Sequence, residues 1–156
     1  MLSTVDHGLV TLLRRLHFVA RERIYTELHS AGFTDISPSH IYVFQSPGPD
    51  GLRPTELATR VGMTKQALNH LLASLEEQGY LHRVPDPEDG RAKVIRLTAR
   101  GRELIGVIAQ VATQTELDWA SVVGAERLEE LRGTLKELDT EVIDDIDRLE
   151  AQNPAH

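Results

Sequence analysis

The stretch "RPTELATRVGMTKQALNHLLASLEEQGYL", residues 53–81, holds two apolar patterns at helical spacing, separated by a glycine. Pro54 suits a first helical turn, where its missing N–H costs nothing, and Leu57, Ala58 and Val61 share one face before Gly62 breaks the helix. Thr64 is a good N-cap for a second helix. There Ala67, Leu68, Leu71, Leu72 and Leu75 predict a buried stripe that ends before Gly79. Two short helices joined by a tight glycine-containing turn predict a helix-turn-helix. At about 100° per residue, Lys65, Gln66, Asn69, His70 and Ala73 fall within an arc of roughly 140° opposite the leucines. Lys, Gln and Asn can reach phosphates or base edges from a major groove, and Ala73 can meet a thymine methyl. A polar face is also what any surface helix presents, so the neighbouring segments carry weight.

Downstream, "YLHRVP" and "AKVIRLT" read as two short strands joined by "DPEDGR", where Pro85, Pro87 and Asp89-Gly90 oppose helix and favour a turn. A hairpin projecting there would carry Arg91 at its tip, slim and cationic enough for the negative potential of a minor groove, with Lys93 close behind. Asp89 stands two residues before Arg91. It can hydrogen-bond the turn backbone or hold the guanidinium extended; an ordinary solvated Asp-Gly turn fits the spacing as well.

Taken together, "ELATRVGMTKQALNHLLASLEEQGYLHRVPDPEDGRAKVIRLTARGREL" resembles the MarR family of dimeric winged helix-turn-helix transcription regulators, most specifically in the Asp-Gly-Arg wing followed by "IRLTARG". The resemblance implies a mostly α (α+β) fold: a winged helix-turn-helix with a two-stranded wing and long terminal dimerisation helices. It divides the chain into an N-terminal dimerisation helix (1–30), a DNA-binding domain (31–100), C-terminal dimerisation helices (101–150) and a polar tail (151–156). It also places Thr64, Lys65, Gln66, Asn69 and His70 on the recognition helix and makes Asp89 and Arg91 the paired residues of the wing. Many members carry arginine where His70 stands, which here exchanges a permanent phosphate contact for a weaker, pH-dependent one. Asp86 and Glu88 make this wing less cationic than many.

Outward from this centre, Leu2, Val5, Leu9, Leu12, Leu13 and Leu16 recur at steps of three and four, continuing less regularly through Ile24, Tyr25 and Leu28, and predict a long first helix. "SAGF" ends it with Gly32 as the cap, and Ser37-Pro38 signals a new start. "SHIYVF" is too short for periodicity to separate helix from strand, and the Ser-Pro start favours a short helix; "SPGPDG" (46–51) is a loop. "TARGRELIGVIAQVATQTELDWASVV" reads as a helix that Gly124 separates from a last one, whose Leu128, Leu131, Leu135, Leu138, Val142, Ile146 and Leu149 make a coiled-coil-like seam. The terminal stripes are too apolar to stay in water. They can pack on their own chain, but in the resembling family they interlock between two subunits, holding two reading heads about 34–36 Å apart for a palindromic site.

The 156-residue chain has a formal net charge of −7, unevenly placed: −1 over residues 1–59, +3 over 60–102 and −9 over 103–156. The basic middle coincides with the winged segment. The acids at the end, such as Glu129, Glu130, Asp144, Asp145 and Asp147, are expected away from DNA, beyond the Debye length of about 8–10 Å over which fields act. The absence of a long apolar run and of a signal-peptide pattern predicts a cytoplasmic protein that engages no membrane. With no cysteine, disulfides and thiol sensing are excluded. Seven dispersed histidines offer no pair on one helix face, so no metal is expected, and neither a cofactor nor an enzyme activity has a motif to support it.

The family resemblance also implies a small aromatic or anionic effector that weakens DNA binding from a pocket beside the dimerisation helices. His17, Arg21, Tyr25, Tyr42, Phe44 and Trp119 are the candidates for it. Scattered aromatics serve equally as core, and Arg21 can pair with Glu22 or Glu27 instead of a ligand carboxylate. The functional expectation is a homodimeric repressor on double-stranded DNA; the alternative is a winged-helix scaffold module that docks on another protein.

Overall fold

The computed structural model describes residues 8–45 and 48–152, with side chains to Thr140. Helix α1 runs Leu9–Ser30 and a 3-10 turn His40–Phe44. Then come α2 (Pro54–Val61), α3 (Lys65–Glu77), strands β1 (Leu81–Pro85) and β2 (Lys93–Leu97), α4 (Ala99–Val123) and α5 (Ala125–Gln152). This is the winged helix-turn-helix arrangement that the sequence pattern predicts. Leu2, Val5, Ser46, Pro47, residues 153–156, and the side chains of Val142, Asp144, Asp145, Ile146, Asp147 and Leu149 lie outside the described residues.

The chain divides into two compact units between Ala112 and Thr113, inside α4. In the first unit the core gathers one face of every element. Leu28 from α1, Val43 and Phe44 from the 3-10 turn, Leu57 from α2, Leu68, Leu72 and Leu75 from α3, Tyr80, Ile95 from β2 and Leu104 from α4 are all buried. The leucine stripe of α3 is thus satisfied through Leu68, Leu72 and Leu75; Leu71 is half-buried, while Ala67 is exposed. Ile105, Val107 and Ile108 pack on this core, which is why the start of α4 belongs with the winged domain.

Local chemistry sets each boundary. The Thr64 hydroxyl accepts the Ala67 N–H at 3.1 Å and starts α3. Gly62 takes φ 67°, ψ 34°, a left-handed conformation costly to any residue with a Cβ, and turns α2 into α3 while Met63 N–H bonds the Ala58 carbonyl. At the end of α1 the helical cap is Ala31, with Gly32 one residue beyond it in the left-handed turn. The segment "SHIYVF" is the tighter 3-10 helix, begun where the His40 N–H bonds the Ser37 carbonyl at 3.0 Å and the Ser37 N–H donates to His40 Nδ1 at 3.2 Å. Gly101 permits α4 to approach the Tyr80 carbonyl so closely that a Cβ there would lie inside its van der Waals envelope.

The sheet is one antiparallel pair, in register from Leu81↔Leu97 to Pro85↔Lys93. Its outer edge is not bare: Gly51 N–H bonds the Ile95 carbonyl at 2.8 Å, and Ile95 N–H bonds the Leu52 carbonyl at 2.9 Å. A polar clasp joins the loop after α1 to the start of α4. The Tyr80 hydroxyl donates to Asp35 at 2.5 Å, Arg100 grips both Asp35 oxygens at 3.0 Å, and its guanidinium lies 4.3 Å above the Tyr80 ring. Burial and the Asp35 charge push the Tyr80 phenol well up from its ordinary value. In the second unit, Arg132 of α5 bonds Glu116 of α4 at 2.9 Å and Glu129 at 3.0 Å. No helix among the described residues is long and apolar enough to cross a membrane.

Candidate nucleic-acid interface

With Leu68, Leu72 and Leu75 turned inward, α3 shows the opposite arc to solvent. Lys65, Gln66, Asn69 and His70 are exposed, Thr64 is exposed at the N-cap, and Ala73 is half-buried at the margin. Helical phase brings these side chains together, and the turn at Gly62 orients them.

The wing resolves the question of its acids. Asp86 is 8% exposed and points inward, where its Oδ2 takes the Arg53 Nε–H at 2.8 Å and the second guanidinium nitrogen at 2.6 Å. Its Oδ1 accepts the Glu88 N–H at 2.9 Å. These contacts, the Glu88 amide first and the Arg53 guanidinium next, hold its carboxyl below the usual carboxylate range. Asp89 Oδ1 accepts the Arg91 N–H at 3.1 Å, and Ala92 N–H bonds the Asp89 carbonyl at 2.9 Å. Of the two roles open to Asp89, the backbone turn is the one supported by hydrogen bonds. Arg91 and Lys93 are exposed at the tip and on the first residue of β2.

The effector candidates separate. His17, Arg21 and Tyr42 line one open cleft of about 410 Å³ together with Arg14, Arg15, Phe18 and Val19. Arg21 donates to the Tyr42 hydroxyl at 2.5 Å, stands 5.5 Å over the Tyr42 ring and 3.7 Å from Glu22, and keeps a buried Nε without a partner. Phe44 is instead core, 2% exposed and edge-on to Tyr80; Tyr25 packs on His29 at 4.4 Å and does not line the cleft; Trp119 lies half-buried in the second unit. Arg14, Arg15 and Phe18 were absent from the sequence candidates. Their signal was present, since at 100° per residue His17, Arg21, Arg14, Phe18 and Arg15 follow one another around the side of α1 opposite its leucines. Arg53 carried no comparable signal, because its partner is 33 residues away.

A family model described as "MarR family" matches residues 36–92. The HTH-type transcriptional repressor Rv2887 of Mycobacterium tuberculosis (strain ATCC 25618 / H37Rv) is 34% identical over 99 residues, which cover 64% of this chain and 70% of that protein. Among solved structures, that of the Mycobacterium tuberculosis MarR family protein Rv2887 in complex with salicylic acid aligns over 86% of this chain and 98% of its own, at 29% identity and a TM-score of 0.59. The crystal structure of MarR aligns over 92% and 97%, at 24% identity and a TM-score of 0.74, and shows the shared fold. Rv2887 is named as a repressor of transcription. On sequence and on fold together, this chain belongs to the MarR family of transcriptional regulators.

Proposed function

We propose that the protein is a homodimeric repressor that binds a pseudo-palindromic operator and is released by a small aromatic anion. The observation that carries DNA recognition is the exposed arc Lys65, Gln66, Asn69 and His70 on a helix whose other side is locked into the core, beside a hairpin with Arg91 at its tip. Lys65 and Arg91 neutralise phosphates or enter a groove; Gln66 and Asn69 pair with base edges; Thr64, His70, Asp89 and Lys93 complete the contact surface. Dimerisation is supported by apolar side chains left in water: Leu9, Leu12 and Leu16 on α1, and Leu131 and Leu138 on α5, are each more than 40% exposed in the single chain. An apolar stripe of that kind is what a symmetric helical interface buries.

Release by a ligand is supported by the cleft on α1. Three arginines and a histidine beside the Phe18 and Tyr42 rings suit a carboxylate attached to an aromatic ring, and the relative Rv2887 was crystallised with salicylic acid. The test is selection of an operator from random duplexes, followed by titration at increasing salt. If the dimer neutralises about six to ten phosphates, affinity falls by roughly 10³–10⁵ between about 50 and 200 mM salt. Failure to retain duplex DNA at low salt would refute the reading.

A further inference from the structure

We propose that Arg53 and Asp86 form a wing-positioning pair, which fixes the angle at which Arg91 leaves the domain relative to α3. The inference rests on the DNA-binding reading above. Three rungs fasten the segment before α2 to the hairpin, from its open end towards its tip. Asp50 Oδ1 accepts the Leu97 N–H at 2.7 Å, residues 51 and 52 pair with Ile95, and Arg53 reaches Asp86. The last rung is the one that matters for aim. Asp86 is the first residue past β1, and one side chain there does two things: Oδ1 closes the tip through the Glu88 N–H while Oδ2 ties the tip to Arg53. Its own N–H donates to the Ala92 carbonyl at 3.0 Å, completing the neck of the wing. Beyond that neck the tip is closed by the Asp89 turn, which the Asp86 carboxylate also anchors, so Arg91 takes its direction from Asp86.

Arg53 is also the N-cap residue of α2, and its N–H is held by Glu56 Oε2 at 2.8 Å. Because α2 and α3 are the two halves of the helix-turn-helix, the pair links the wing to the same body that carries Lys65 and Gln66. Two contacts made at once by a rigid body gain affinity over the same contacts on a loose tether. Removing the link leaves both contact groups intact but uncouples them.

The sign of the effect discriminates. If charge alone counted, neutralising a carboxylate close to Arg91 would tighten binding to a polyanion. Positioning requires the opposite. Asp86→Asn and Arg53→Met, alone and combined with Arg91→Ala, are to be titrated with a mixed-sequence duplex of about 40 base pairs, long enough for successive grooves. Each single variant is expected to bind roughly five-fold or more weakly, and the loss should vanish on the Arg91→Ala background, as coupled residues require. Equal or tighter binding by Asp86→Asn, or fully additive losses, would overturn the proposal. The free protein supplies an independent readout: tryptic cleavage after Arg91 should accelerate several-fold in Arg53→Met, and an unchanged rate would also overturn it. If the parent retains no duplex, the DNA-binding reading falls by itself, and the cleavage rate still decides whether the pair holds the wing.

Discussion

Substituting Gly101 by alanine separates two opposing effects that the structure allows to be weighed. On helix propensity alone, Gly→Ala is favourable by at most about 1 kcal/mol. Here the new methyl would be driven into the backbone carbonyl of Tyr80 and would stand 3.1 Å from Leu97 Cδ2. The leucine side chain can rotate away; the carbonyl cannot move freely, because it accepts both the Thr98 N–H and the Thr98 hydroxyl at 3.1 Å. Overpacking costs about 1–3 kcal/mol and each weakened hydrogen bond about 0.5–1.5 kcal/mol. Against the propensity gain of about 1 kcal/mol, the expected net loss is about 1–5 kcal/mol. For a chain of this size that lowers Tm by roughly 2–20 °C, at about 2–4 °C per kcal/mol. Thermal and urea unfolding at one fixed protein concentration measure it, since association couples to apparent stability. Gly106→Ala is the internal control: it lies in the same helix with no atom within 4 Å of the added methyl and should be neutral or stabilising by up to about 1 kcal/mol. A Gly101→Ala protein as stable as its Gly106→Ala counterpart would refute the close approach of α4 to Tyr80.

Thr64→Ala removes the acceptor for the Ala67 N–H and should cost about 1 kcal/mol in urea unfolding. Burial lowers the pKa of His40 from 6.5, although the Asp35 charge opposes the shift. The unfolded chain therefore binds a proton before the folded one does, so His40 contributes stability that is complete above pH 6.5 and is lost as pH falls through the folded value. The urea midpoint should drop between about pH 7.5 and 5.5 in the parent and less in His40→Asn. Arg91→Ala should reduce the slope of log affinity against log salt by about two, one for each subunit of the dimer; an unchanged slope would remove Arg91 from the interface. Salicylate should raise the parent's Tm, and Arg21→Ala should abolish the shift, as read by differential scanning fluorimetry.

The parts of the fold legible in the sequence were those written in local periodicity and turn chemistry. Leu68, Leu72 and Leu75 of the α3 stripe, Thr64, Gly62 and the Asp89-Gly90 turn each act within a few residues and appear where their pattern put them, whereas Ala67 of the same stripe is exposed. What escaped depends on partners distant along the chain: Arg53 meets Asp86 across 33 residues, Tyr80 meets Asp35 across 45, and Arg100 meets Asp35 across 65. No spacing rule announces such meetings. The effector candidates divide for a related reason. Phe44 and Tyr42 stand two residues apart on the same 3-10 turn, and only tertiary packing sends the first into the core and leaves the second on the cleft.

Helix α1 presents leucines on one side and the cleft-lining arginines on the other, so phase along a single rod keeps the two apart. Deleting or inserting one residue in its first half would rotate everything on one side of the change by about 100°. Guanidinium groups would then stand in line with the leucines, whereas a shift of seven residues, nearly two whole turns, would preserve both alignments. Length variation in this segment is therefore expected to come in sevens, and a one-residue indel should be felt as severely as several point substitutions together.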